Sequence, residues 1–149
     1  MQWHLKSFEQ LSGDELYRIL RERVGVFMLE QNCLYPEIDG KDPKCHHLFA
    51  EKDGQIAAYC RLLPPGVAYT QCSIGRVLVN DAFRGQGLAQ EMMTRAIAFL
   101  TEESGEKEIK IQAQHYLENF YGSFGFRPIS EVYPEDGIPH VDMLRGGNA

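Results

Sequence analysis

Arg84-Gly85-Gln86-Gly87-Leu88-Ala89 lies between an apolar run, Ile74 to Val79, and a stretch of helical periodicity. Residues of this kind can hold an anion with the main chain alone. A helix start carries backbone N–H groups that have no intrahelical partner, together with the positive end of the helix dipole. Glycines let a bulky anion approach that backbone closely. The segment therefore predicts a phosphate cradle at a strand end. No Gly-Lys-Ser/Thr follows, and the spacing is not G-x-G-x-x-G, so nucleoside triphosphates and dinucleotides are poor fits.

Few other residues have spacings that point to chemistry. No Ser-His-Asp or Cys-His nucleophile arrangement is visible. Cys33, Cys45, Cys60 and Cys72 include no C-x-x-C pair. A chain of this size needs no staples, so reduced thiols are expected. Cys33 and Cys45 with His46 and His47 match no usual zinc spacing, and the two histidines open a β-rich run, so no metal is expected. Arg23 falls on or beside the apolar stripe of the first helix. The favoured expectation is a packed stem with its head in water; the alternative is a buried charge held for a site.

These residues must be positioned by an α/β framework. Trp3 to Phe8 predicts a strand. Ser12-Gly13-Asp14-Glu15 is a capping box, opening a helix with Leu16, Ile19, Leu20, Val24, Phe27 and Met28 at helical spacing. Asn32 to Pro43 is an acidic loop with room for a short helix. His47 to Lys52 and Gln55 to Leu63 predict a hairpin closed by Asp53-Gly54. Gln71 to Val79 is the next strand, and Gly87 to about Glu103 a long helix. Ile109 to Ala113 is a short strand, and Leu117 to Phe124 a short helix stopped by Gly125. Phe126 to Tyr133 and Val141 to Leu144 are final strands around a loop, Pro134 to Pro139. The hairpin runs argue against a purely parallel dinucleotide-binding sheet.

The 149 residues suit one domain spanning 1–149, and a 44% hydrophobic, 24% charged composition is ordinary for a soluble fold. A net charge of −6 argues against a broad nucleic-acid interface. No apolar run approaches the roughly 20 residues that cross a membrane. No apolar segment follows Met1-Gln2-Trp3-His4-Leu5-Lys6, so a cytoplasmic location is expected.

The strand, the loop Arg84 to Ala89 and the following helix resemble the R/Q-x-x-G-x-G/A segment of the GCN5-related N-acetyltransferases, the GNAT superfamily. Ile111-Gln112-Ala113-Gln114, then Leu117 to Phe126 with Tyr121-x-x-x-Gly125-Phe126, resembles that family's next segment. Arg23-x-x-Val26-Phe27-x-x-Glu30-Gln31-x-Cys33-x-Tyr35, Glu37-Ile38-Asp39-Gly40, His47-Leu48 and Glu131 to His140 are similar to its small ElaA-type subgroup, over nearly the whole chain.

The resemblance implies a central mixed, mostly antiparallel sheet flanked by helices and splayed at the coenzyme site. It implies acetyl-CoA as co-substrate and direct transfer of acetyl to an amine of a small molecule or protein. The diphosphate would rest on Gly85, Gln86, Gly87, Leu88 and Ala89, with Arg84 nearby. The backbone of Val77, Leu78 and Val79 would pair with the pantetheine arm, and Asn119 would bond it. Tyr121 would protonate the leaving thiolate. Many family members place a carboxylate on the strand before the loop; here that strand reads Ser73-Ile74-Gly75-Arg76. Glu30, Asp39, His46, His47 and His115 remain candidates on the acceptor side, with a water chain as the alternative. Two other readings stand beside this one: a non-catalytic acyl-CoA-binding module, and an acyl-homoserine-lactone synthase, whose early Arg…Phe…Asp region is similar to Arg23, Phe27 and Asp39. Either form, monomer or homodimer, fits the sequence.

Overall fold

The computed structural model describes residues 1–147. Strand β1 (Gln2–Ser7) leads to helix α1 (Gly13–Arg23). Ser12 caps that helix as its sequence requires: its Oγ accepts from the Glu15 N–H at 3.0 Å, and Glu15 Oε1 accepts from the Ser12 N–H at 2.9 Å. The helix then widens into a π-helical segment, Val24–Glu30. Strands β2 (His46–Lys52) and β3 (Gln55–Leu63) form the expected hairpin, with Asp53 and Gly54 both in the left-handed region. Strand β4 (Ser73–Val79) is followed by helix α2 (Leu88–Ala98), which continues as a π-helical turn, Phe99–Glu103. Strand β5 (Glu108–Gln114), helix α3 (Glu118–Gly122) and strands β6 (Phe126–Pro128), β7 (Tyr133–Glu135) and β8 (Ile138–Gly146) complete the chain.

The segment Pro134 to Pro139 is not the expected loop. It is a second tight hairpin, turning at Asp136 (φ 51°) and Gly137 (φ 78°), with Tyr133 opposite His140 and Pro134 opposite Pro139. The prolines mislead because they supply no ladder N–H. They are tolerated here because β7 pairs with β8 alone, at the margin of the sheet. The predicted strand from Phe126 to Tyr133 is accordingly split into β6 and β7.

The strands form two antiparallel sheets, β1-β2-β3-β4 and β5-β8-β6, with β7 against β8. The sheets meet at the start of β4. There Cys72 bridges Ile109 in parallel, and the Lys110 N–H donates to the Cys72 carbonyl at 3.0 Å. Beyond that bridge, Val77 to Val79 of β4 and Ile111, Gln112 and Gln114 of β5 line a cavity. The mixed α/β architecture, mostly antiparallel and splayed, matches the expectation.

Two cores hold the wedge in shape. Met92, Met93, Ala96, Ile97 and Leu100 of the α2 segment pack on Leu48, Cys60, Leu62 and Ile74, and on Ile111 and Met143 from the second sheet. Ile19 packs with Phe49, Ile56, Tyr59 and Leu78. Full burial of each such large apolar side chain contributes roughly 1.5–3 kcal/mol. All four cysteines are buried and unpaired. Among the described residues no helix is long and apolar enough to cross a membrane.

Candidate active site

The cavity between the sheets has a volume of about 1050 Å³. One of its walls begins at the loop before α2. Gly85 (φ 82°) and Gly87 (φ 78°) hold left-handed backbone, with open space where side chains would stand. Gly87 occupies the N-cap of α2, and no side chain caps that end. The first N–H groups of the helix are thus left for a ligand or water. Gly85, Gly87, Leu88 and Ala89 line the cavity, whereas Gln86 lies in the loop without lining it. Arg84 lines it too. Its Nε donates to the Val79 carbonyl at 2.9 Å, and its Nη2 donates to both oxygens of Glu30, at 3.1 and 2.9 Å.

Strand β4 is irregular where the cavity opens. Tyr59 of β3 pairs with Leu78 and Arg61 with Gly75, so the intervening Arg76 and Val77 bulge. Arg76 has φ 51°, an uncommon conformation for a residue with a Cβ. Among the described residues, the edge of β4 that faces β5 is bridged only at Cys72. Its later backbone groups, from Val77 to Val79, are at the cavity wall.

An arginine–carboxylate cluster holds that bulge. The Arg76 Nε donates to Glu37 Oε2 at 2.7 Å, and its guanidinium stacks over Tyr35 at 5.5 Å. Glu37 Oε2 also accepts from Arg23 Nε at 2.7 Å, and Tyr35 donates its hydroxyl to the other oxygen. Arg23 Nη1 reaches Asp42 at 2.7 Å. Arg61 donates to both oxygens of Asp39, at 2.9 and 2.6 Å, and to Asp42 at 3.1 Å. Three guanidinium groups thus face three carboxylates, with the Lys41 ammonium 3.8 Å from Asp39 at the exposed margin.

Arg23 corrects the favoured sequence reading. It is 0% exposed, its head sealed among Glu37, Asp42 and the face of Tyr59 at 5.8 Å. The stripe position carried no sign of this, because its partners lie 14 and 19 residues away.

The acceptor-side candidates separate cleanly. Glu30 and Asp39 line the cavity. Asp39 is held far below the usual carboxylate range: burial alone would raise it, but the Arg61 hydrogen bonds, the Lys41 N–H and the charges of Arg61 and Arg76 outweigh burial. A carboxylate so held is a poor proton acceptor. His47 is fully buried, with Nδ1 2.7 Å from the Tyr59 hydroxyl and Nε2 3.1 Å from the Asp42 carbonyl. Since a carbonyl only accepts, Nε2 carries the proton and Nδ1 accepts from Tyr59. Burial pushes His47 below its usual value and keeps it neutral. His46 packs on Phe99, and His115 lies near Glu118; neither lines the cavity.

Tyr121, the fourth residue of α3, does line the cavity while 7% exposed. Its ring meets Phe120 and Phe126 edge-on, at 5.2 and 6.2 Å. Burial raises its phenol well above the ordinary value, so it remains protonated at neutral pH. Asn119, two residues earlier, is exposed and does not line the cavity. Sequence reasoning missed the far wall, where Glu135, Asp136, Ile138 and His140 of the β7–β8 hairpin join Tyr35, Tyr69 and Tyr116. The Asp136-Gly137 pair, of the same kind as Asp53-Gly54, was the available signal for that hairpin.

Among the described residues His4, Glu15 and Glu51 could bring ligand atoms within 4.8 Å of one another. Glu15 already pairs with Lys6 at 2.7 Å and Glu51 with Arg18 at 2.6 Å, so ion pairing accounts for both carboxylates.

A wedge between two antiparallel sheets, with a glycine loop and helix start on one wall, defines an acyl-CoA-dependent acyltransferase fold. The model of the acetyltransferase (GNAT) domain family matches residues 11–145, and the chain belongs to that family. Protein ElaA of Escherichia coli is 40% identical over 147 residues, covering 97% of this chain and 96% of ElaA. The ElaA crystal structure superposes with a TM-score of 0.90, covering 97% of this chain and 99% of that one at 39% identity. An acyl-CoA N-acyltransferase from Pseudomonas aeruginosa gives a TM-score of 0.92 at 40% identity, over 98% of this chain and 100% of that one. A CoA-dependent acyl-homoserine lactone synthase, at 16% identity and a TM-score of 0.79 over 95% of this chain and 81% of its own, shares the fold alone.

Proposed function

We propose that this chain transfers an acetyl group from acetyl-CoA directly to a primary amine of a small molecule or peptide. One observation carries the reading: the glycine loop, the edge of β4 and the Tyr121 side chain all face one cavity. The loop fits a diphosphate. Gly85 and Gly87 leave room at the backbone, the α2 N-terminus supplies donors, and Arg84 supplies positive charge. A helix dipole contributes roughly 0.3–1 kcal/mol per anionic group, and up to about 2 when partly buried.

Val77 to Val79 would pair with the pantetheine arm as a neighbouring strand would. A backbone N–H of this strand would polarise the thioester carbonyl; a preorganised donor of this kind is worth about 3 kcal/mol in comparable oxyanion sites. Tyr121 would give the departing sulfur its proton. Glu135 and Asp136 at the far wall, with a net charge of −6, favour a cationic amine as acceptor.

The experiment is an amine and peptide panel with acetyl-CoA, read by release of free thiol, run on wild type and Tyr121→Phe. The variant should lose roughly 10²–10⁴-fold in turnover while its affinity for CoA stays within a factor of two or so. Tight CoA binding with no turnover across the panel would instead support a binding module. Consumption of longer acyl-CoA with an S-adenosyl amine donor, and of acetyl-CoA with none, would support the lactone synthase reading.

A further inference from the structure

The acyl-transfer reading leaves one proton without a destination. An alkyl ammonium, with a pKa near 10.4, must lose a proton before it attacks. Strand β4 offers no carboxylate, and Glu37, Asp39 and Asp42 are engaged by arginines.

His140 stands in the right wall for this task. It lies on β8 opposite Gln114, the last residue of β5, and opposite Tyr133 of β7. Cross-strand partners share a face, and Gln112, Gln114, Ile138 and His140 all line the cavity. The His140 Nδ1 is 2.7 Å from the Ile138 carbonyl. A carbonyl can only accept, so Nδ1 carries the hydrogen and the lone pair of the neutral ring is on Nε2. Nε2 makes no hydrogen bond with any described residue and is not a buried atom. The ring is steadied by Tyr133 at 6.4 Å, whose hydroxyl donates to Asp142. The ionisable groups around it are Tyr133 and Asp142 on the sheet, Glu135 and Asp136 at the turn, and Cys33, whose thiol meets the Asp136 carbonyl at 3.4 Å.

We propose that His140 is the proton acceptor for the amine: the Ile138 carbonyl fixes its tautomer, and Nε2 takes the proton of the incoming ammonium. This rests on the acyl-transfer reading. The first ammonium proton passes to Nε2 and on to solvent. The free amine then forms its bond to the thioester carbonyl carbon as the carbon–sulfur bond breaks. Tyr121 gives its proton to the sulfur and recovers one from the second N–H of the nascent amide. The balance is ammonium plus acetyl-CoA giving amide, CoA thiol and one proton.

His140→Asn is the informative variant, since its amide can still donate to the Ile138 carbonyl but offers no lone pair in place of Nε2. Two probes of similar shape, ethylamine and 2,2,2-trifluoroethylamine, separate chemistry from folding. The first is an ammonium at neutral pH and the second is largely free base. With acetyl-CoA binding and thermal midpoint unchanged, the variant should lose roughly 10²-fold or more in kcat with ethylamine and less than about fivefold with trifluoroethylamine. Ring-nitrogen NMR of the wild type should show the Nδ1–H tautomer for the resonance missing in His140→Asn.

Equal losses with both amines, no loss with either, or an Nε2–H tautomer would each overturn the role. So would a wild type that binds acetyl-CoA yet turns over neither amine. A wild type that fails to bind acetyl-CoA would overturn the acyl-transfer reading as well, which marks that failure apart from the others.

Discussion

Arg84 is engaged before any coenzyme arrives. Its guanidinium spans the Val79 carbonyl and the two oxygens of Glu30. Both side chains are more than two-fifths exposed, and exposed pairs contribute only about 0.2–1 kcal/mol. On the proposed reading a diphosphate, with higher charge and several backbone donors behind it, would outcompete such a partner. Glu30 is nevertheless a negative charge beside the proposed anion site. Glu30→Gln should therefore tighten CoA binding by about threefold at low ionic strength, and the gain should shrink as salt is added. Calorimetric titration at two salt concentrations checks this, and weaker binding in the variant would contradict it.

At the scale of elements, the loop from Asn32 to Pro43 and strand β4 are fastened by one set of charges. Glu37 accepts from Arg23, Arg76 and Tyr35 together. Removing one member of a buried charge network leaves the others uncompensated, at a cost of roughly 3–5 kcal/mol. At 2–4 °C per kcal/mol for a chain of this size, Glu37→Gln should lower the thermal midpoint by about 10 °C. It should also relax the bulge at Arg76, so activity should fall further than the loss of folded protein explains. Assays below the shifted midpoint test that. The cluster was illegible in sequence because its pairs are formed at separations of 14 to 39 residues. No local periodicity records which arginine will meet which carboxylate. The glycine turn before α2 was legible for the opposite reason: its conformation belongs to consecutive backbone groups, and glycine spacing reports it directly. The Ser12 capping box and the Asp53-Gly54 turn are local in the same way. Prolines hid the β7–β8 hairpin, and with it the wall that carries His140.

The molecule as a whole is built around ionisable groups whose behaviour sets its pH response. His47 is pushed below its usual value when folded. The unfolded chain then binds more protons than the folded one as pH falls below about 6.5, so stability declines on that side. Asp39 and Asp42 are lowered by their arginine partners. Their contribution is complete above about pH 4 and is lost as pH falls from there toward their folded values. Thermal midpoints should be level from neutral pH to about 6.5, fall gently below it, and fall steeply below about 4. His47→Gln should flatten the first decline and leave the second, and a profile unchanged by that substitution would contradict the assignment. The same fastening has an evolutionary and practical consequence. Because Glu37, Asp39 and Asp42 tie the loop from Asn32 to Pro43 to α1, β3 and β4, that loop cannot drift freely in search of new substrates. Leu34 at 93% and Ile38 at 63% exposed are free of that anchor, but neither lines the cavity. Libraries aimed at new amine specificities are best directed to cavity-lining positions outside the charge cluster, such as Ala68 and Gln112, where diversity spares the fastening.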